Sequence, residues 1–153
     1  MERKALAVEY FNNGCNCAQA VLCAYCDVIG IEISVAKRFA SSFGGGMGKL
    51  RQACGAVTGA FAVAGLLWGG YDVNDNEAKS AHYALVRRIA SEFTEIHQTI
   101  NCETLLKGIA NTQGSDPAKR TPEYYAVRPC ARFVADACDI LDKIIAEKGL
   151  GEA

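Results

Sequence analysis

Apolar residues recur at helical spacing along nearly the whole chain. Ala5, Val8 and Phe11 mark one face of a first helix over residues 2–11, which Asn12-Asn13-Gly14 ends. Asn16 is a good N-cap for a second helix running to about Val28, before Gly30. Ser34 is placed to cap a third, Val35 to Phe43. Gly44-Gly45-Gly46-Met47-Gly48 then forces a loop. A strongly apolar helix is predicted from about Cys54 to Trp68, followed by a turn-rich connection from Gly69 to Asn76. Asp75 or Asn76 can cap a long helix from Glu77 to about Thr99, where Ala81, Leu85, Ile89, Phe93 and Ile96 share a face. Asn101 caps a short helix through Leu105-Leu106, and residues 111–121 read as a polar loop. Pro122 opens a turn of helix. Pro129 opens the last helix, striped by Phe133, Ala137, Ile140, Leu141, Ile144 and Ile145. No strand, tandem repeat or low-complexity segment stands out. The expected fold is all-α, a single compact bundle of about six or seven helices formed by residues 1–153 as one domain.

Size and charge narrow the options. The chain has 153 residues, 22% of them charged, and a formal net charge of −1. That balance lacks the basic excess of most nucleic-acid binders and offers no polybasic run for an anionic membrane. Residues 52–71 carry no charge and are just long enough to span a bilayer. Five of them are glycine and the stretch includes Gln52, Cys54 and Thr58, so a buried central helix is expected and membrane insertion is not. The apolar, glycine-rich character of residues 44–71 would also suit a homodimer interface.

The eight cysteines change the picture: Cys15, Cys17, Cys23, Cys26, Cys54, Cys102, Cys130 and Cys138. The first residues lack the apolar core and cleavage site of a signal peptide, which points to the cytoplasm, where thiols stay reduced. Cysteine richness there suggests metal, cluster or redox chemistry more than structural bridges. Cys17, Cys54, Cys102 and Cys130 each fall in the first turn of a different predicted helix. Free N–H groups and the positive end of the helix dipole favour a thiolate there, the form that acts as nucleophile and metal ligand. Cys23 and Cys26 lie mid-helix, three apart, and read as packing more than as a redox pair. Cys138 reads as buried. Cys15 could be a spare ligand or a resolving thiol.

Gly44 to Gly48 followed by Lys49 does not make a phosphate-binding loop, because Leu50 follows the lysine and the first glycine of that motif is missing. A better use is close approach: Gly45, Gly46 and Gly55 would let backbone N–H groups reach a cluster or its thiolates. Gly55 and Gly59 would let a neighbouring helix pack tightly. His82 and His97 lie about 20 Å apart along the long helix and cannot share one metal; His97 is near enough to Cys102 in sequence to replace one ligand, although an ordinary polar role suits it better.

The segments Gly14-x-Asn16-Cys17-Ala18-Gln19-Ala20, Phe43-Gly44-Gly45-Gly46-Met47 and Cys54-Gly55-Ala56-Val57-Thr58-Gly59, with single cysteines at 102 and 130, resemble the family of redox-active proteins defined by a CGAxxG motif and four characteristic cysteines. The resemblance runs from about residue 3 to residue 145. It implies a small helical redox protein similar to the cysteine-bearing domain of split-Soret cytochromes, which is associated with an iron–sulfur centre. The family's four cysteines fall on Cys17, Cys54, Cys102 and Cys130. The haem part of the comparison does not carry over, because Asp27 follows Cys26 where a haem-attachment motif needs histidine. Three readings stay open at this point. The four cysteines ligate an iron–sulfur cluster and exchange electrons with a donor or acceptor protein; they act as metal-free thiol–disulfide pairs; or they hold zinc in a non-catalytic module.

Overall fold

The computed structural model describes residues 1–110 and 112–150; Asn111, at the start of the predicted polar loop, and the last three residues of the expected domain lie outside them. Among the described residues there are ten helical segments and no strand. They are α1 (Arg3–Asn12), α2 (Cys17–Ala24), α3 (Cys26–Ile29), α4 (Ile33–Phe39), α5 (Gly44–Met47), α6 (Gly55–Trp68), α7 (Asn76–His97), α8 (Cys102–Leu105), α9 (Pro122–Val127) and α10 (Cys130–Lys148). The all-α expectation holds, but the count exceeds six or seven. The difference comes from short segments and from a break inside the second predicted helix.

That break falls at Tyr25, whose backbone (φ −112°, ψ 6°) leaves the helical region between α2 and α3. Its ring is fully buried, and its hydroxyl donates to the carbonyl of Cys138 at 3.0 Å and to Asp142 at 2.7 Å. The third predicted helix starts at Ile33 with Glu32 as its cap, not Ser34, and stops at Phe39. A 3₁₀ turn over Ser41–Phe43 follows. The Asn16 side-chain amide donates to the carbonyls of Ala40 and Ser41, both at 3.3 Å, and the Ala40 carbonyl also accepts from the Phe43 N–H of that turn at 3.1 Å. Asn16 also forms a full capping box with Gln19.

The buried residues form one connected core. Its axis is α2, where Ala18, Ala20, Val21, Leu22, Cys23 and Ala24 are all buried. Helices α1, α6, α10 and α4 surround it, and α7 lies outside against α6 and α10. The apolar helix α6 therefore flanks the centre, and it leaves Leu66 exposed. No helix among the described residues is long and apolar enough to cross a membrane. Small residues set the α2–α6 spacing: a Cβ at Gly59 would stand 2.9 Å from the carbonyl oxygen of Ala18 and 3.1 Å from its Cα.

Backbone cannot yield as a flexible side chain can, so Gly59→Ala is expected to destabilise the fold by about 1–3 kcal/mol, the usual cost of overpacking. Gly65, on the same helix with nothing within 4 Å of its would-be Cβ, is the control. Gly65→Ala should stabilise by about 0.5–1 kcal/mol. Urea denaturation of both variants checks the pair; equal effects would mean that the α2–α6 contact is slack.

Candidate functional site

The helix starts converge. Cys17, Cys102 and Cys130 are the first residues of α2, α8 and α10, and Cys54 is the N-cap of α6. All four line a single cavity of about 450 Å³. The three glycines expected to approach the site, Gly45, Gly46 and Gly55, line it too. Gly46 makes the tightest approach: a Cβ there would lie 2.7 Å from the Cys102 Cβ and 2.7 Å from the Gln52 nitrogen. At Gly55 it would lie 3.1 Å from the Cys17 Cβ. At Gly45 the neighbour is the Lys49 side chain, at 3.2 Å, and not a thiol.

The glycine run is a left-handed turn. Gly45, Gly46, Met47, Gly48 and Lys49 all have positive φ, and so does Arg51. For Met47, Lys49 and Arg51 this conformation is strained, at about 1–2 kcal/mol per residue. Backbone hydrogen bonds hold it: Gly48 N–H to Ser42 O at 2.8 Å, Arg51 N–H to Gly45 O at 3.1 Å, and Gln52 N–H to Gly46 O at 2.9 Å. Lys49 donates to the carbonyl of Gln113 at 3.3 Å and to that of Asp116. The chain then pairs antiparallel with residues around 101, through a single bridge between Ala53 and Asn101. The Cys54 N–H reaches Ile100 O at 2.7 Å, and the Cys102 N–H reaches Gln52 O at 2.6 Å.

Lys49, Arg51, Arg120 and Arg128 line the same cavity, and none of its lining residues is a carboxylate or histidine. Arg51 donates from Nη1 to the Cys102 Sγ at 3.4 Å and from Nη2 to Thr112 O at 2.8 Å. The Arg120 guanidinium lies 4.7 Å from the Phe11 ring centre and 4.6 Å from that of Tyr124, and it donates to the carbonyls of Phe11 and Cys15. Arg128 lies over Tyr124 at 4.7 Å. Arg51 and Arg128 stand close to residues that sequence reasoning did single out. Arg120 sits in a polar loop and carries no sequence signal.

Helix-start placement was expected to favour thiolates at all four positions; Cys130 is eased toward its thiolate, whereas Cys17 and Cys54 are held above the usual thiol range. A hydrogen bond from Cys17, helped by the charges of Arg128 and Arg120, lowers the Cys130 thiol against the opposing effect of burial. Contact with Cys130, then burial, holds Cys17 well above the usual thiol range. Burial pushes Cys54 up to about 12, outweighing the Ala56 and Val57 N–H groups that favour its thiolate. A helix end supplies roughly half a charge, and loss of water can cost more than that returns.

The remaining cysteines lie outside the cavity lining. Cys138 is fully buried in α10, and burial pushes it up to about 12. Cys15, Cys23 and Cys26 are buried in the core. His97 does not line the cavity; its Nε2 is 2.7 Å from Asp136, between the rings of Phe93 and Phe133. Among the described residues no three His, Cys, Asp or Glu side chains are grouped to hold a single metal ion.

Residues 15–144 match the model of the family described as "Putative redox-active protein (C_GCAxxG_C_C)". The chain belongs to that family, and its motif segment runs Cys54-Gly55-Ala56-Val57-Thr58-Gly59. No curated protein and no solved structure matches the chain.

In reduced, metal-free protein at neutral pH, Cys130 should react with iodoacetamide at least about tenfold faster than Cys54, because only the thiolate attacks. Cys17→Ala should slow Cys130 by removing its hydrogen-bond donor. Quantitative peptide mapping of alkylated cysteines gives both rates. Equal rates at the two sites would contradict the charge distribution around Cys130.

Proposed function

From membership of that redox-active family, we propose that the protein transfers electrons through an iron–sulfur cluster held by Cys17, Cys54, Cys102 and Cys130. The observation that carries this reading is the convergence of four thiols on one cavity whose charged lining is wholly cationic. Four thiolates around a cluster bring net negative charge. Lys49, Arg51, Arg120 and Arg128 oppose that charge, and hydrogen bonds to the sulfurs are a lever on cluster potential. Arg51 already donates to the Cys102 sulfur. A tetrahedral zinc ion would need its ligand sulfurs gathered at about 2.3 Å from one point. Among the described residues no three such ligands are grouped for a single ion, and a cluster spreads its ligands over more than one iron. Bound there, the cluster would supply one-electron chemistry to a donor or acceptor protein. The chain's own part is to hold four sulfurs, exclude carboxylates and keep backbone close at Gly46 and Gly55.

A second reading rests on Cys17 and Cys130 lining the same cavity, with Cys130 eased toward its thiolate: a thiolate near a thiol is the arrangement for disulfide exchange, with the sulfur–sulfur bond forming as two electrons pass to a disulfide acceptor.

Anaerobic purification separates the two. The cluster reading expects broad visible absorbance with iron and sulfide in equal amounts. Cys17→Ser should abolish the colour and Cys138→Ser should keep it. Colourless, metal-free protein that forms a Cys17–Cys130 disulfide on oxidation would overturn the cluster in favour of exchange. Gly46→Ala, whose Cβ would collide with Cys102, should cut iron content severalfold. Gly48→Ala, which carries the same left-handed backbone strain but whose Cβ meets nothing within 4 Å, should retain it.

A further inference from the structure

We propose that the open end of the cavity binds a small organic anion, its carboxylate or phosphate head held by Lys49 and Arg51 and its compact apolar body lying against Leu106 and Pro117. This goes beyond the cluster reading, and binding at Lys49 does not depend on iron. The cavity has two unlike ends. Cys54, Cys102 and Cys130 line it and are no more than 7% exposed. Gly48, Ser115 and Pro117 line it as well, and all three are exposed. Lys49 belongs to this second end, because it follows Gly48 and donates to the carbonyls of Gln113 and Asp116 on the segment that carries Ser115 and Pro117.

Lys49 and Arg51 flank one point. A Cβ at Gly45 would lie 3.2 Å from the Lys49 Cβ and 3.9 Å from the Arg51 Nη1. Both side chains are fastened to the same segment, Arg51 at Thr112 O and Lys49 at Gln113 O and Asp116 O. Each of those acceptors is a neutral carbonyl. Asp116 offers its main chain and not its carboxylate, and among the described residues neither Lys49 nor Arg51 forms an ion pair. Ammonium and guanidinium both carry more donors than these bonds use. The backbone argues the same way. Lys49 and Arg51 stand at φ 63° and 58°, where glycine, as at Gly48, is at ease. Strain kept at two lining residues points to what their side chains do in the cavity.

The ligand's chemistry follows from this lining. A cavity of about 450 Å³ falls within the ~300–1,000 Å³ of small-molecule sites, which combine apolar walls with a few fixed polar groups. Two adjacent cations suit the oxygens of a carboxylate or a phosphate, whose hydrogen bonds to charged donors are the strong ones. Leu106 and Pro117 give the body of the ligand an apolar surface. Arg51 is shared between the two ends, because its Nη1 also donates to the Cys102 Sγ at 3.4 Å. An anion held by Arg51 is therefore one side chain away from a sulfur of the proposed cluster.

The test is calorimetric titration of the full chain at low ionic strength with benzoate and phenyl phosphate, and with benzyl alcohol as the uncharged control. At least one anion is expected to bind with a Kd below about 1 mM, and benzyl alcohol at least about tenfold more weakly. The anion that binds tells a carboxylate site from a phosphate site. Lys49→Gln should weaken it at least about tenfold, whereas Lys49→Arg should retain it. Lys119→Gln, at an exposed residue outside the lining, removes the same charge and should also retain it. Neither anion binding more tightly than benzyl alcohol to the parent chain overturns the proposal, and so does equal weakening in Lys49→Gln and Lys119→Gln. Titration of the anaerobically purified chain and of the same chain stripped by a chelator separates this proposal from the cluster reading. A chain that never holds iron defeats the cluster and still binds the anion. An anion that binds the stripped chain but not the iron-loaded one defeats this proposal, because it would then occupy the cluster's place.

Discussion

The site depends on backbone meeting backbone. Residues 51–54 and 100–102 are held together by two short hydrogen bonds, Cys54 N–H to Ile100 O and Cys102 N–H to Gln52 O. These bonds bring Cys54 beside Cys102 although the two are far apart in sequence. The pairing has room only because Gly46 presents no side chain to Cys102 or to Gln52. Gly55 does the same where α6 begins against Cys17, and Gly59 extends the close contact one turn further along α2. A fixed spacing between main chains thus sets the spacing between sulfurs. The core supplies rigidity behind it, since α2, α6 and α10 pack on one another through the same helices whose first turns carry Cys17, Cys54 and Cys130.

Charge, more than helix dipoles, decides what those sulfurs can do. Three of the four sit at first helical residues and one at a cap, yet Cys17 and Cys54 are held above the usual thiol range while Cys130 is eased toward its thiolate. Desolvation wins at Cys54, where two backbone N–H groups do not make up for lost water. At Cys130 the hydrogen bond from Cys17 makes the difference, helped by the charges of Arg128 and Arg120. Four cationic side chains around four thiols would repel one another in an empty polar pocket, and Lys49 shows this, since burial and then the nearby charges of Arg51 and Arg128 hold its ammonium below the usual range. Such crowding of like charge costs stability unless anionic sulfur or a negatively charged group answers it.

The helix ends were largely legible in the sequence, for a local reason. Asn16, Asp75 and Asn101 cap through their own side chains, and Pro129 needs no N–H partner. Placing cysteines on those starts was enough to separate Cys17, Cys54, Cys102 and Cys130 from Cys23 and Cys138. Features set by distant contacts were not legible. The break at Tyr25 is held by a hydroxyl reaching Cys138 and Asp142 on α10, and the Asn16 amide reaches the Ala40 and Ser41 carbonyls just past the end of α4. The left-handed turn was readable at its glycines, but not at Met47, Lys49 and Arg51, whose strain is held by bonds to Ser42, Gly45, Gln113 and Thr112. Arg120 reaches the site from a loop without periodicity, so no pattern could mark it.

A cysteine's position along its helix therefore says only what it could become. At the first turn a sulfur points to a helix end, where loops and neighbouring helices bring their own charges, and its fate is settled by those arrivals. Mid-helix, at Cys138, the sulfur meets other core side chains and stays a small apolar group whose thiol burial keeps protonated. Cys23 shares the mid-helix position and is buried as well. The same Asn16 cap that aims Cys17 into the cavity turns the chain so that Cys15 stays behind in the core. One capping residue thus divides the thiols on either side of it between a cationic cavity and an apolar interior.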